Sequence, residues 1–201
     1  MTRPLPLKCI ILAAGASKRL GRHKALLVKD GIPLIRWIVN RIEQQGINPI
    51  IVTRQELMIE IALSCPERTI IMNPKPDEGR TGTIQCGILH INSEKEKMKP
   101  YRLLMVPVDR PGFSDETLSK IMNESRSCVP AKDGRGGHPI MLMPTDIKEI
   151  LAEENPDRPL HEIVNPVHFE VKDTNLHVNL DREEDVEKWL NSIKSNTEEN
   201  P

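Results

Sequence analysis

Four stretches of the chain carry residue types and spacings that can do chemistry. The densest is Cys9 to Lys24, CIILAAGASKRLGRHK, in which an apolar run breaks at Ala14-Gly15-Ala16-Ser17 and cations follow at Lys18, Arg19, Arg22 and Lys24. Small residues let a ligand approach the backbone closely. Free N–H groups and flexible ammonium or guanidinium heads then surround a polyphosphate. An ordinary strand-to-helix turn with solvated basic residues has the same composition, and both readings stand at this level. A Walker loop does not fit, because five residues separate Gly15 from Gly21 and Ala25 follows Lys24. A dinucleotide fingerprint does not fit either, since Ser17 occupies the place of its second glycine.

The second stretch is Pro107-Val108-Asp109-Arg110-Pro111, where Asp109 closes an apolar run. A carboxylate there is placed to hold Mg²⁺, a hard cation that takes oxygen ligands and keeps phosphates in its shell; a turn aspartate is the plainer alternative. The third is His177-Val178-Asn179-Leu180-Asp181, followed by Glu183-Glu184-Asp185. Asp181 either caps a last helix or joins Asp109 around one Mg²⁺. The fourth is Arg135-Gly136-Gly137-His138-Pro139, either a surface hairpin or a close backbone approach to a ligand with the imidazole or loop N–H groups as donors. The remaining histidines show no metal-ligand spacing.

The elements that must position these groups alternate between strand and helix. Apolar runs at Cys9–Ala13, Pro49–Thr53, Thr69–Met72 and Arg102–Val108 read as buried strands. Helices are expected from Pro33 to Gly46 and over 56–64, 83–91, 114–125, 145–153, 158–164 and 183–193. Residues 73–83, NPKPDEGRTGT, form a loop, and 93–99, SEKEKMK, a solvated connection. Strands are also expected at 127–131 and 138–143, with a late pair at 167–171 and 176–180. Such alternation argues for an α/β fold with a mostly parallel sheet covered on both faces. Ligands of such sheets bind beyond the carboxyl ends of the strands, where Gly15, the 73–83 loop and Asp109 all fall.

The 201 residues carry a net charge of −1 and 2% aromatic side chains, which gives no electrostatic or stacking case for nucleic acid. No run of 18 apolar residues occurs, so no membrane partner is expected. Residues 1–8 lack the apolar core of a secretion signal. The four cysteines form no CxxC pair, and Cys9 and Cys86 read as buried thiols, which points to a reducing, cytoplasmic location. One domain is expected over 1–194, with a polar tail at 195–201.

The first stretch also resembles the pattern L-A-A-G-x-S-x-R-x-G-x-x-K of the molybdenum-cofactor cytidylyltransferases and guanylyltransferases. Leu12-Ala13-Ala14-Gly15, Ser17, Arg19, Gly21 and Lys24 match it. The resemblance runs over about residues 7 to 190. Pro33-Leu34-Ile35-Arg36 is similar to the family's first helix, Asp77-Glu78-Gly79 through Thr83 and Gly87 to its nucleotide-side loop, and Asn179-Leu180-Asp181 to its closing motif. It implies a single-domain Rossmann-like three-layer sandwich, the nucleotide-diphospho-sugar transferase fold of glycosyltransferase-A type. It also implies Mg²⁺-dependent transfer of a nucleoside monophosphate from an NTP to the terminal phosphate of a molybdopterin-type acceptor, with pyrophosphate leaving.

Carried across, Lys24, Arg19 and Asp109 are the catalytic residues, and Asp109 and Asp181 the metal ligands. Leu12, Ala13, Ala14, Gly15, Ser17, Thr53, Gly79 and Thr83 join Arg19 and Lys24 on the nucleotide side. Gly137, His138 and Pro139 face the acceptor. Ala14 matches the form associated with cytidylyltransferases and favours CTP. The family's guanylyltransferases tend to carry glycine there. A molybdoenzyme or its chaperone is the implied protein partner. The chain departs from the family at Asn179, at Arg182-Glu183 and at Arg158-Pro159-Leu160-His161. A sugar- or alditol-phosphate nucleotidyltransferase, or a non-catalytic nucleotide-binding protein, are the alternatives.

Overall fold

The computed structural model describes residues 5–93 and 99–192. Most of the expected 93–99 connection and all of the 195–201 tail lie outside these residues. In chain order the elements are β1 (Leu7–Ala13), β2 (Val28–Lys29), β3 (Ile32–Pro33), α1 (Leu34–Gln44), β4 (Ile50–Thr53), α2 (Met58–Ser64), β5 (Ile70–Met72) and α3 (Arg80–Ser93). They continue with β6 (Arg102–Pro107), α4 (Asp115–Met122), β7 (Cys128–Lys132), β8 (Arg135–Gly136), β9 (Ile140–Leu142), α5 (Pro144–Ala152), β10 (Val167–Glu170) and α6 (Glu183–Ser192).

The main sheet runs β10-β7-β9-β6-β1-β4-β5, with β8 attached to β7. β6, β1, β4 and β5 are mutually parallel, so their carboxyl ends share one edge. β9 then enters antiparallel to both β6 and β7. The period-2 alternation of a strand shows in how β1 divides its side chains. Cys9, Ile11 and Ala13 enter one core with α1, α2, α4 and α6, and Ile10 and Leu12 enter the other with α3 and α5. Both faces are therefore covered, which is why β1 reads as continuously apolar. The three-layer α/β sandwich expected from the alternation is the fold observed.

Several local expectations are corrected. α3 begins at Arg80 rather than Thr83, because Pro156 accepts a hydrogen bond from the Gly82 N–H at 3.1 Å, satisfying a free donor of the first turn. The helix expected over 158–164 is only a 3₁₀ turn at Leu160–Glu162. The strand expected at 176–180 is irregular. Its backbone makes turns instead, Leu176 N–H to Asp173 and Val178 N–H to Asn175, and Leu180 N–H reaches Asp109. β10 consequently pairs with β7, in parallel. A small hairpin, β2–β3, was not expected; Asp30 and Gly31 turn it with φ of 50° and 78°. Cys86 is half-buried rather than buried, whereas Cys9, Cys65 and Cys128 are buried, and all four are free thiols.

Candidate active site

The sheet edge delivers the site. β1 ends at Ala13, and the N–H of Val108 donates to the Leu12 carbonyl at 3.0 Å, which continues the β1–β6 pairing past the end of β6. Asp109 is thereby set beside the loop that follows β1. In that loop Ser17 adopts φ of 51°, its carbonyl accepts from the N–H groups of Leu20 and Gly21, and its hydroxyl accepts from the Lys24 N–H at 3.2 Å. Ser17 thus folds the loop back and fixes the root of Lys24.

The Lys24 ammonium lies 3.1 Å from Asp109 Oδ2 and 2.5 Å from Asp181 Oδ1. Asp181 reaches this point because the Leu180 N–H donates to the Asp109 carbonyl at 3.1 Å. Arg19 sits 3.1 Å from Asp181 Oδ2, which also accepts from the Asn179 amide at 2.7 Å. Burial pulls the Asp181 carboxyl up, but Lys24, Arg19 and Asn179 outweigh it and hold the group below the usual aspartate value. Two carboxylates from segments 72 positions apart therefore converge on one cation.

This donor set suits a hard divalent ion. Mg²⁺ takes one or two carboxylates and fills its shell with water and phosphate oxygens, so two aspartates beside a phosphate-sized space suffice. Among the described residues no cluster of three or more His, Cys, Asp or Glu side chains forms, which a metal held by protein ligands alone would need.

A cavity of about 340 Å³ opens beside the lysine. Leu12, Ala13, Ala14, Gly15, Ser17 and Lys24 line it together with Gly79, Arg80, Thr83 and Asp109. A side chain added at Gly15 would meet nothing within 4 Å, so that position leaves open room rather than packing space. Arg19 and Asp181 face a neighbouring cleft instead. Thr53 is fully buried outside the cavity; its hydroxyl donates to the Ala13 carbonyl at 3.1 Å and so fixes the start of the loop.

A second cavity, of about 600 Å³, is lined by Gly136, Gly137 and His138 and by the 157–161 segment where the chain departs from the family pattern. Pro139 is buried and does not line it. Burial, with help from Arg110 and Arg80, pushes the His138 imidazole down to about 3, so it is neutral near pH 7. Gly137 is a glycine because a Cβ would lie 2.6 Å from Leu176.

Arg80 lines both cavities and sequence reasoning did not single it out, nor Arg110 next to Asp109. Both stood inside stretches already quoted, EGRT and PVDRP, but each has acidic neighbours in sequence, Asp77 and Glu78 before Arg80 and Asp109 before Arg110, so spacing carried no signal that they would lack an acidic partner in the fold. Arg54 was missed as well. It is buried, donates to the Ala14 carbonyl at 3.4 Å and to Glu56, and lies 3.6 Å from Asp77, tying the loop after β1 to the 73–83 loop.

Among known proteins, the chain is 30% identical over 134 residues to a molybdenum cofactor guanylyltransferase of Xanthomonas euvesicatoria pv. vesicatoria (strain 85-10), covering 66% of this chain and 63% of that protein. A second molybdenum cofactor guanylyltransferase, from Vibrio atlanticus (strain LGP32), is 25% identical over 148 residues and 71% of each chain. Among solved structures, Rv0371c from Mycobacterium tuberculosis H37Rv superposes with a TM-score of 0.75 at 18% identity, covering 94% of this chain and 99% of that one. The mycobacterial protein has also been solved in complex with manganese. A family match, described as MobA-like NTP transferase domain, spans residues 9–172. This chain, with its small-residue loop, its bridging lysine and its paired aspartates, belongs to the MobA-like NTP transferase domain family.

Proposed function

We propose that this chain is a divalent-cation-dependent nucleotidyltransferase that moves a nucleoside monophosphate from an NTP to the terminal phosphate of a molybdopterin-type acceptor. The observation that carries this reading is the Lys24 ammonium held between Asp109 and Asp181 at the lip of the small-residue cavity. An oxygen of the acceptor phosphate bonds to the α-phosphorus, the bond from that phosphorus to the bridging oxygen breaks, and its electron pair leaves with pyrophosphate. Asp109 and Asp181 would hold Mg²⁺, which would supply charge neutralisation and Lewis-acid polarisation on the triphosphate. Lys24 would turn from the carboxylates to the phosphates, and Arg19 would add a second cation. The backbone at Gly15 lets the triphosphate lie against the loop. Most of the catalysis is positioning and electrostatics.

Two readings of the base have separate support. Ala14 favours CTP, because its methyl narrows the place where the guanylyltransferases tend to have glycine. Both curated relatives named above are guanylyltransferases, which favours GTP. The product's recipient is a molybdoenzyme or its chaperone, and the four free thiols fit a reducing cytoplasm. No helix among the described residues is long and apolar enough to cross a membrane.

The test is thermal unfolding with CTP, GTP, ATP and UTP in turn, each with and without Mg²⁺. A ligand at a hundred times its Kd adds about 2.7 kcal/mol of stability, so selectivity reads directly. A cation-dependent shift with CTP alone makes the chain a cytidylyltransferase, and one with GTP alone a guanylyltransferase. ATP or UTP preference moves it to another acceptor class. No shift with any nucleotide overturns the reading.

A further inference from the structure

The C-terminal helix α6 is attached to the body along one edge. Val186 and Trp189 are buried and Leu190 is half-buried, while Glu184, Glu187 and Lys188 face solvent. Its first turn is continuous with the candidate site. The Arg182 N–H donates to Asp185 Oδ2 at 3.0 Å and the Val186 N–H to the Arg182 carbonyl at 3.2 Å, so Asp181 moves with the helix. Towards the other end, the buried Trp189 ring meets Trp37 of α1 edge to face, with centroids 5.7 Å apart.

Lys29 of the β2–β3 hairpin closes this contact. Its ammonium is buried, has no hydrogen-bond partner among the described residues, and lies 4.9 Å from the Trp189 ring centre and 6.0 Å from that of Trp37. A buried ammonium without an acceptor costs stability, and the electron-rich faces of the two rings offset that cost. Lys29 follows Lys24 closely in the chain, and the Leu34 N–H donates to the Leu27 carbonyl at 2.7 Å, which fixes this segment on α1. The two segments that meet at the Lys24–Asp181 ion pair therefore meet again at Lys29 and Trp189. Under the proposed function, Lys24 gives up the first junction on turning to the triphosphate, and the second stays. A further link, the ion pair of Arg22 with Glu183, is half-exposed at both ends, and such pairs contribute little.

We propose that Lys29, Trp37 and Trp189 form a clasp that holds α6 and keeps Asp181 beside Asp109 once Lys24 has turned away, which makes Lys29 and Trp189 positioning residues for the divalent cation. The cation's part in this rests on the nucleotidyltransferase reading. The clasp touches neither the cation nor the nucleotide; it acts through the Asp181 carboxylate.

The experiment joins Mn²⁺ titration by electron paramagnetic resonance to amide hydrogen exchange at Leu180, whose N–H bonds to the Asp109 carbonyl. Trp189→Leu is expected to bind Mn²⁺ about tenfold more weakly, the loss typical when a group that orients a metal ligand is removed. Trp189→Phe, which keeps an aromatic face, should recover most of that affinity. In an Asp181→Asn background Trp189→Leu should cause no further loss. An equal loss in both backgrounds would mean that Trp189 only stabilises the fold, and overturns the proposal. Exchange at Leu180 should quicken in Trp189→Leu while the amides of β1 and β6 keep their protection. Should Trp189→Leu not fold, Lys29→Ala decides by the same comparisons, since it removes the ammonium and leaves both rings. Unchanged Mn²⁺ affinity, or unchanged exchange at Leu180, overturns the clasp. If wild type binds no Mn²⁺, the metal reading falls, and exchange at Leu180 still decides whether the clasp holds Asp181.

Discussion

The two halves of the site handle charge in opposite ways. On the nucleotide side, Lys24, Asp109 and Asp181 neutralise one another at the carboxyl ends of parallel strands. Around the larger cavity, where β9 turns the sheet antiparallel, Arg80 and Arg110 act on a neutral histidine, and neither arginine forms an ion pair among the described residues. The first half is satisfied when empty, so a ligand there must make it exchange partners. The second holds cations that have no acidic partner among the described residues. Under the proposed function, loading the nucleotide and its metal is coupled to releasing Lys24.

The largest expected effect tests the exchange. Asp109→Asn removes a cation ligand and should lower pyrophosphate release by about a thousandfold, with Mn²⁺ binding lost in the same variant. Lys24→Met should also slow turnover, by about a hundredfold, yet bind Mn²⁺ more tightly than wild type, because the carboxylates lose their competing ammonium. Mn²⁺ titration by electron paramagnetic resonance and a coupled pyrophosphate assay read both. Equal Mn²⁺ affinity in Lys24→Met and wild type would mean that the lysine does not occupy the metal's place.

A second effect concerns the wall between the halves. Gly79 has φ of +131°, and a Cβ there would lie 2.4 Å from the Pro156 carbonyl oxygen. Thr81 Oγ1 donates to the Arg158 carbonyl at 2.6 Å, and Gln85 Nε2 to the carbonyls of Ile150 and Glu153, so the nucleotide-side helix and the acceptor-side segment are locked together. Gly79→Ala should cost about 2 to 4 kcal/mol of stability through strain and overpacking. It should also weaken nucleotide binding, since Gly79 lines the smaller cavity. If urea unfolding places it within error of wild type, the two segments are not locked at this point.

The nucleotide half was the legible one. A buried strand has few ways to read, and a loop of Ala, Gly and Ser with cations at Arg19 and Lys24 announces both the turn and its charge. Asp109 was legible because it closes an apolar run that had to be a central strand. What the sequence withheld was tertiary. The period-2 pattern at 176–180 is real, but it serves to place Leu176 against Gly137 and Leu180 in the core, while the backbone bonds run to turns and to Asp109. The start of α3 depended on Pro156, 74 positions beyond Gly82. Arg80 and Arg110 were visible as residues, but the lack of an acidic partner is a property of space and not of spacing.

A third effect separates the halves by pH. His138 has an ordinary value of 6.5 and lies near 3 in the folded protein, under burial, Arg110 and Arg80, with Asp109 opposing. As pH falls below 6.5 the unfolded chain takes this proton and the folded one does not. Stability is therefore fully present above pH 6.5 and declines below it, by up to about 1.4 kcal/mol per pH unit, until about pH 3. Asp181 starts from 3.8 and is depressed, so its contribution is intact above pH 3.8 and is lost only as pH falls further. Urea unfolding from pH 8 to pH 3 should thus show a slope that His138→Gln flattens below pH 6.5 and that Asp181→Asn leaves alone until near pH 4. Burial of the imidazole, with Arg110 and Arg80 beside it, makes the larger-cavity side titrate first as pH falls, while Lys24 and Arg19 hold Asp181 ionised to lower pH. An unaltered slope between pH 6 and pH 4.5 in His138→Gln would show that the imidazole titrates freely, and would remove the charge contrast on which the comparison stands.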